Sequence, residues 1–113
     1  MKPTAKALAK KILAEGRLRV TAEGKILGSR GQEVGHSRGD GVRSIRLYHP
    51  EFYLEGRKNH SVAVTSHELV WLALKGDLPD GVFVGHKDGN VNNNHPDNLE
   101  LYGWALLRKG ETA

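Results

Sequence analysis

The residues best suited to chemistry stand together in VFVGHKDGNVNNNHPDNLEL, residues 82–101. An apolar run, Val82-Phe83-Val84, leads to His86, and Asp88-Gly89, a set of asparagines and a second apolar run follow. An imidazole, with an ordinary pKa of about 6.5, can take a proton from water at neutral pH, hold a metal ion, or pack in a core. On this stretch alone the three roles of His86 stay open. Its neighbours are loop-builders: Asp88-Gly89 supplies a tight turn with a permissive glycine, and the amides of Asn93 and Asn94 can satisfy buried loop backbone.

Several elements must position this stretch. Residues 4–15 carry Ala5, Leu8, Ala9, Ile12 and Leu13 at amphipathic spacing, which predicts a helix that Thr4 can cap and Gly16 can stop. Lys6, Lys10 and Lys11 lie off its apolar stripe and form either a solvated or a phosphate-facing side. Leu18 and Val20 alternate with Arg17 and Arg19, and Glu23-Gly24 can turn the chain back into Lys25-Ile26-Leu27 as a hairpin. Residues 28–42, rich in Gly, Ser and charge, read as a flexible loop. Residues 43–48 and 61–65 read as strands. Thr65 and Glu68 have capping-box spacing, and Leu69 to Leu74 is apolar nearly all round, so this helix is expected to be the buried centre with Trp71 in the core. Residues 99–102 read as a last strand, and Trp104 to Lys109 as the start of a short helix.

The 113 residues fit one domain with a modest core. There is no cysteine, so disulfides and thiolate metal sites are excluded and any ion must be held by His, Asp, Glu or Asn. No apolar run approaches the ~20 residues of a membrane span, and MKPTAKALAKKIL is expected to be a helix, not a signal peptide. The net charge of +4 is uneven: residues 1–60 hold 13 Lys or Arg against 6 Asp or Glu, and residues 61–113 hold 4 against 7. A basic half, balance +7, suggests a polyanionic partner, nucleic acid before an anionic membrane.

From "SHELVWLAL" through "VFVGHKDGNVNNNHPDNLEL" the chain resembles the HNH endonucleases, particularly the small phage and homing-type members. His67, Leu69, Val70, His86, Asp88, Gly89, Asn90, Asn93, Asn94, Asn98, Leu99 and Glu100 carry the match over about forty residues. The resemblance implies an α+β fold: a small single domain of short antiparallel strands, residues 1–60 a basic helix and strand region, residues 61–113 a ββα (His-Me) finger. It implies a DNA partner, no membrane, and a phage-encoded protein acting in the host cytoplasm. It makes His86 the general base and Asn98, twelve residues on, the residue that holds the loop and orients it. Asp88, Gly89, Asn93 and Asn94 would build the loop. Arg17, Arg19, Arg30, Arg38, Arg43 and Arg46 would be candidate contacts to the DNA backbone. His67 would support the packing or the loop, or touch a phosphate.

The family's Mg2+ or other divalent ion is the point of departure. Its ligands are expected just before the catalytic histidine and about nine residues beyond the middle asparagine. Here those positions are Gly85 and Leu107, neither of which can bind a hard cation. Three outcomes remain open. Asp88, His95, Asp97 or Glu100 could substitute; DNA phosphate and water could complete the site; or catalysis is lost, leaving a catalytically degenerate HNH fold that binds DNA or a protein partner.

Overall fold

In a computed structural model of the chain, which describes residues 3–37, 42–49, 62–79 and 81–103, helix α1 runs from Pro3 to Ala14. Its predicted stripe is the buried one: Ala5, Leu8, Ala9 and Ile12 lie in the core and Leu13 packs against it. Thr4 falls inside the helix and does not cap it. Gly16 does stop it: at φ +71 it donates to the Leu13 carbonyl while Arg17 donates to that of Ile12, which satisfies two end carbonyls in a Schellman arrangement. The lysines are tethered. Lys6 donates to the Leu78 carbonyl (3.1 Å) and lies 3.4 Å from Asp77, Lys10 reaches the same carboxylate at 3.1 Å, and Lys11 pairs with Glu15. Lys10 first, then the Leu78 N–H and Lys6, hold the Asp77 carboxyl below its usual range.

Strands β1 (Leu18–Val20) and β2 (Ile26–Gly28) form the expected antiparallel hairpin, with Val20 opposite Ile26. Its turn closes through Thr21, whose N–H donates to the Lys25 carbonyl and whose hydroxyl accepts from the Lys25 N–H. Gly24, buried and at φ +88, tips the turn against the backbone of Asn94, so closely that a Cβ there would collide with the Asn94 carbonyl. The basic N-terminal half is thus braced directly on the loop that follows His86.

The stretch expected to be a flexible loop is more regular than its composition suggests. Gly28 donates to Gln32, Val34 donates to Ile26, and β3 (His36–Ser37) pairs antiparallel with β4 (Arg43–Leu47). Backbone pairing with β4 satisfies these residues whatever their side chains, so composition alone underestimates the order. Strand β4 also pairs with β5 (Val62–Thr65), which brings Ser44 opposite Thr65.

Helix α2 (Ser66–Leu74) follows β5 without a break. The capping box forms as the spacing predicts: the Glu68 carboxylate accepts from the Thr65 N–H at 3.2 Å and from its hydroxyl at 2.7 Å. Only the first half of α2 is the buried centre. Leu69 and Val70 are fully buried, Trp71 and Leu72 are half-buried, and Leu74 is exposed. Trp71 is therefore not a core residue but a rim one, with the Lys75 ammonium 5.8 Å from its ring centroid. The helix outruns the small core beneath it, so its last turn keeps apolar side chains in water. Strands β6 (Phe83–His86) and β7 (Leu99–Tyr102) pair antiparallel, linked by the loop and a 3₁₀ turn at Pro96–Asn98. Val84 and Leu99 face the core with Leu69 and Val70, while Phe83 and Tyr102 stay exposed on the other side. The expected helix from Trp104 to Lys109, and with it Leu107, lies outside the described residues.

Candidate active site

His86 ends β6 on the inward side of the hairpin, opposite Leu99. It borders a cavity of about 380 Å³ whose wall includes Val42, Thr65, His67, Gly85, Gly89 and Tyr102. Strand β5, helix α2 and the β6–β7 hairpin therefore meet at one imidazole.

The loop after His86 is held by its own side chains. Asp88 is the hub: its Oδ1 accepts from the Asn90 N–H (2.8 Å) and the Asn98 amide (2.9 Å), and its Oδ2 from the Asn93 amide (3.0 Å). Those donors, Asn93 first, then the Asn90 N–H and Asn98, hold the Asp88 carboxyl below its usual range. Asn98 also donates to the Asn93 carbonyl at 3.0 Å and accepts from the Asp88 N–H at 3.2 Å, clamping both sides of the loop. Gly89, at φ +75, supplies the positive dihedral that the turn needs.

The side chain that reaches the His86 ring is Asn94: Oδ1 stands 2.7 Å from Nε2. Asn94 is expected from sequence to satisfy loop backbone; its oxygen is spent on the histidine instead. Asn98 acts on the loop that carries Asn94. With the amide oxygen as acceptor, His86 Nε2 carries the proton and Nδ1 keeps its lone pair. His67 stands on the other side, its ring centroid 4.7 Å from that of His86 and the planes at 73°. No spacing rule singles out Asn94 among three successive asparagines, because the choice depends on how the loop curls back.

The other expected residues divide. Arg17, Arg19, Arg30 and Arg46 are exposed, and Arg17 and Arg46 border one cavity of about 300 Å³ with Ser29 and Tyr48. Arg43 is half-buried and donates to the Gly35 carbonyl at 3.2 Å, a bond within the fold. Arg38 lies outside the described residues. His49, unmarked by any motif, is buried two residues beyond β4 with Nε2 2.7 Å from a Glu15 carboxylate oxygen.

A divalent ion is poorly served by the donors beside His86. Among the described residues the cavity wall carries no carboxylate. A Cβ built on Gly85 would meet Cδ1 and Cε1 of Tyr102 at 3.1 Å, so an aromatic ring occupies the space in which a ligand side chain at position 85 would begin. Asp88 is committed to three donors, and His95 Nδ1 accepts from the Asp97 N–H at 3.1 Å as cap of the 3₁₀ turn. Asp97 is exposed, and so is Glu100, which sits opposite Gly85 across the hairpin. Among the described residues no group of three or more His, Cys, Asp or Glu side chains could hold a metal ion. These side chains do not fit a resident cation.

Comparison with known proteins converges on this region. The description HNH endonuclease matches residues 64–102. The SPbeta prophage protein YosQ of Bacillus subtilis (strain 168), named for the HNH homing endonucleases, is 41% identical over 61 residues, 54% of this chain and 31% of that protein. The HNH homing endonuclease I-HmuI, solved in the context of DNA binding and cleavage, has a similar fold at a TM-score of 0.59 and 24% identity, over 86% of this chain and 52% of that one. The chain thus spans about a third of one relative and half of the other.

Proposed function

We propose, from a chain that carries an HNH endonuclease-family finger across residues 64–102, that it binds DNA and hydrolyses a phosphodiester with His86 as general base. The observation that carries this is the bond from His86 Nε2 to Asn94, which leaves Nδ1 as the basic nitrogen of a ring bordering a cavity. In the reaction, Nδ1 takes a proton from water, the water oxygen attacks phosphorus, and the bond from phosphorus to the leaving sugar oxygen breaks as that oxygen takes a proton from solvent. HNH nucleases generally use a divalent ion, and Mg2+ or Mn2+ is the ion to test here; when bound it would stabilise charge on the phosphate.

Arg17, Arg19, Arg30 and Arg46 supply the basic surface for the DNA backbone, and such contacts weaken steeply with salt. The same proposal takes residues 1–113 as one domain of a phage-encoded protein acting in the host cytoplasm; the prophage origin of the Bacillus subtilis relative supports the phage part of it. No helix among the described residues is long and apolar enough to cross a membrane.

A second reading, a catalytically degenerate HNH fold that binds DNA or a protein partner, is favoured by one observation, the Tyr102 ring against Gly85. Nicking of supercoiled plasmid across a Mg2+ and Mn2+ series separates the two. Wild type is expected to nick, and His86→Ala to lose about 10²–10⁴-fold. Equal inactivity of both proteins, with DNA still bound, would leave the binding reading standing.

A further inference from the structure

The His86 base lies against a second imidazole whose own state is fixed from behind. Thr65 has a single hydroxyl proton, and it goes to the Glu68 carboxylate at 2.7 Å. Toward His67 Nε2, 3.2 Å away, the same oxygen can therefore only accept. His67 must carry its proton on Nε2. The capping box that starts α2 thus also selects a tautomer, and it does so at the helix end that abuts the cavity.

With one nitrogen tied to Thr65, the His67 ring is not free to turn about its long axis without breaking that bond. It meets the His86 ring edge-to-face, centroids 4.7 Å apart, planes 73° apart. That is a favoured aromatic geometry, and at this separation the two rings restrict each other's rotation. From the opposite direction Asn94 holds His86 Nε2 at 2.7 Å. His86 is thus held at one nitrogen by the loop and packed against the His67 ring of α2.

We infer that His67 is a positioning residue for His86: anchored as its Nε2–H tautomer by Thr65 and Glu68, it fixes the plane of the His86 ring so that Asn94 can hold Nε2 and Nδ1 is the basic atom. The inference rests on the assignment of His86 as the base, but its direct readout does not need catalysis. It also explains why a T-x-H-E sequence, Thr65 to Glu68, opens the helix: the cap and the positioning device share the Thr65 hydroxyl.

The test is long-range 1H–15N correlation on the histidine-labelled chain, above the pH at which its imidazoles are charged. In wild type, His86 and His67 are each expected to show a single Nε2–H tautomer pattern. In His67→Ala, the His86 ring nitrogens should shift toward tautomer-averaged values. In His67→Phe, which keeps an aromatic ring at that position, His86 should retain the wild-type pattern. Thr65→Val should leave α2 in place but let His67 average. A His86 pattern unchanged in His67→Ala overturns the inference, as does one lost equally in His67→Ala and His67→Phe when the amide spectrum is otherwise native. Should His67→Ala not fold, the Phe and Thr65→Val variants decide: wild-type His86 in the first and averaged His67 in the second support it, and any other pairing sinks it. In nicking assays His67→Ala should lower kcat about 10–100-fold with KM little changed, and His67→Phe should recover most of that. A chain inactive in every form would refute the catalytic assignment while leaving the tautomer result to judge His67.

Discussion

His86 Nε2 and Asn94 Oδ1 lie 2.7 Å apart, and this bond ties the imidazole at the end of β6 to a loop whose remaining amides close on Asp88. The protein thus separates two tasks among neighbouring asparagines. Asn93 and Asn98 hold the loop, and Asn94 sets the proton on the histidine. Asn94→Ala should leave the loop bonds to Asp88 in place but let His86 exchange tautomers. The expected result is a fall in nicking of about 10²-fold or more, as when a histidine base loses the partner that fixes its tautomer. DNA affinity should change less than about twofold, since no phosphate-facing charge is removed. A variant as active as wild type would show that the bond does not set the base.

Gly24 reaches across the molecule to the same loop. It sits at φ +88 and its α-carbon faces the Asn94 carbonyl with no room for a methyl group. Gly24→Ala must bear both a left-handed dihedral, at about 1–3 kcal/mol, and the separation of the β1–β2 turn from the loop. A loss of stability of about 3 kcal/mol or more in urea unfolding is expected, with perturbed amide signals at Asn94 and His95. Gly31→Ala is the control: its φ of +83 carries the same dihedral strain, but a Cβ there meets nothing within 4 Å. It should cost only the strain. Equal losses in the two variants would argue against the contact.

The end of α1 makes stability depend on pH. Glu15 accepts from Arg17, His49 and Lys11, in that order of effect, and these hold its carboxyl at about 2 against an ordinary value of 4.5. A carboxylate with a lowered folded-state pKa stabilises the fold fully above its unfolded value, and loses that contribution as pH falls through the folded one. The difference in melting temperature between wild type and Glu15→Gln should therefore be constant above about pH 5. It should shrink progressively between pH 4.5 and about 2. A difference that stays the same down to pH 2 would show that these bonds do not form in solution.

Much of this architecture is legible in the chain because local rules and the fold agree. The α1 stripe, the Glu23-Gly24 turn, the Thr65–Glu68 cap and the β6–β7 pair all appear where the spacing puts them. The misses share a physical cause, namely contacts that depend on how turns and loops fold back and that no periodicity or spacing rule encodes. Strand β3 exists because β4 offers an edge to a Gly- and Ser-rich segment. Trp71 stays half-buried because the core ends before the helix does. The bond from Arg43 to the Gly35 carbonyl is likewise invisible to a count of charges. At the site, His86 and the loop residues can be recognised from spacing, whereas the partnership with Asn94 and His67 needs the loop and α2 folded around the ring.

The glycine before His86 gives the sharpest test of the cation question. No positive φ is imposed at Gly85, so a larger residue is permitted by the backbone, and what opposes it is the Tyr102 ring at 3.1 Å from a built Cβ. Tyr102 is 55% exposed and paired only loosely with Phe83, at 5.7 Å between ring centroids, so it can swing aside. Gly85→Asp alone should fold and displace Tyr102. Combined with Tyr102→Ala it places a carboxylate one residue from His86, where a hard cation gains an oxygen ligand. Titration with Mn2+, followed by electron paramagnetic resonance without DNA, should show weak binding to wild type and at least about tenfold tighter binding to the double variant, since one added charged oxygen donor is worth that much or more. If the double variant also nicks DNA faster than wild type, the Gly85–Tyr102 contact is what limits the natural site. Tight Mn2+ binding by wild type, lost in His86→Ala, would instead show that the chain completes a cation site with donors other than these.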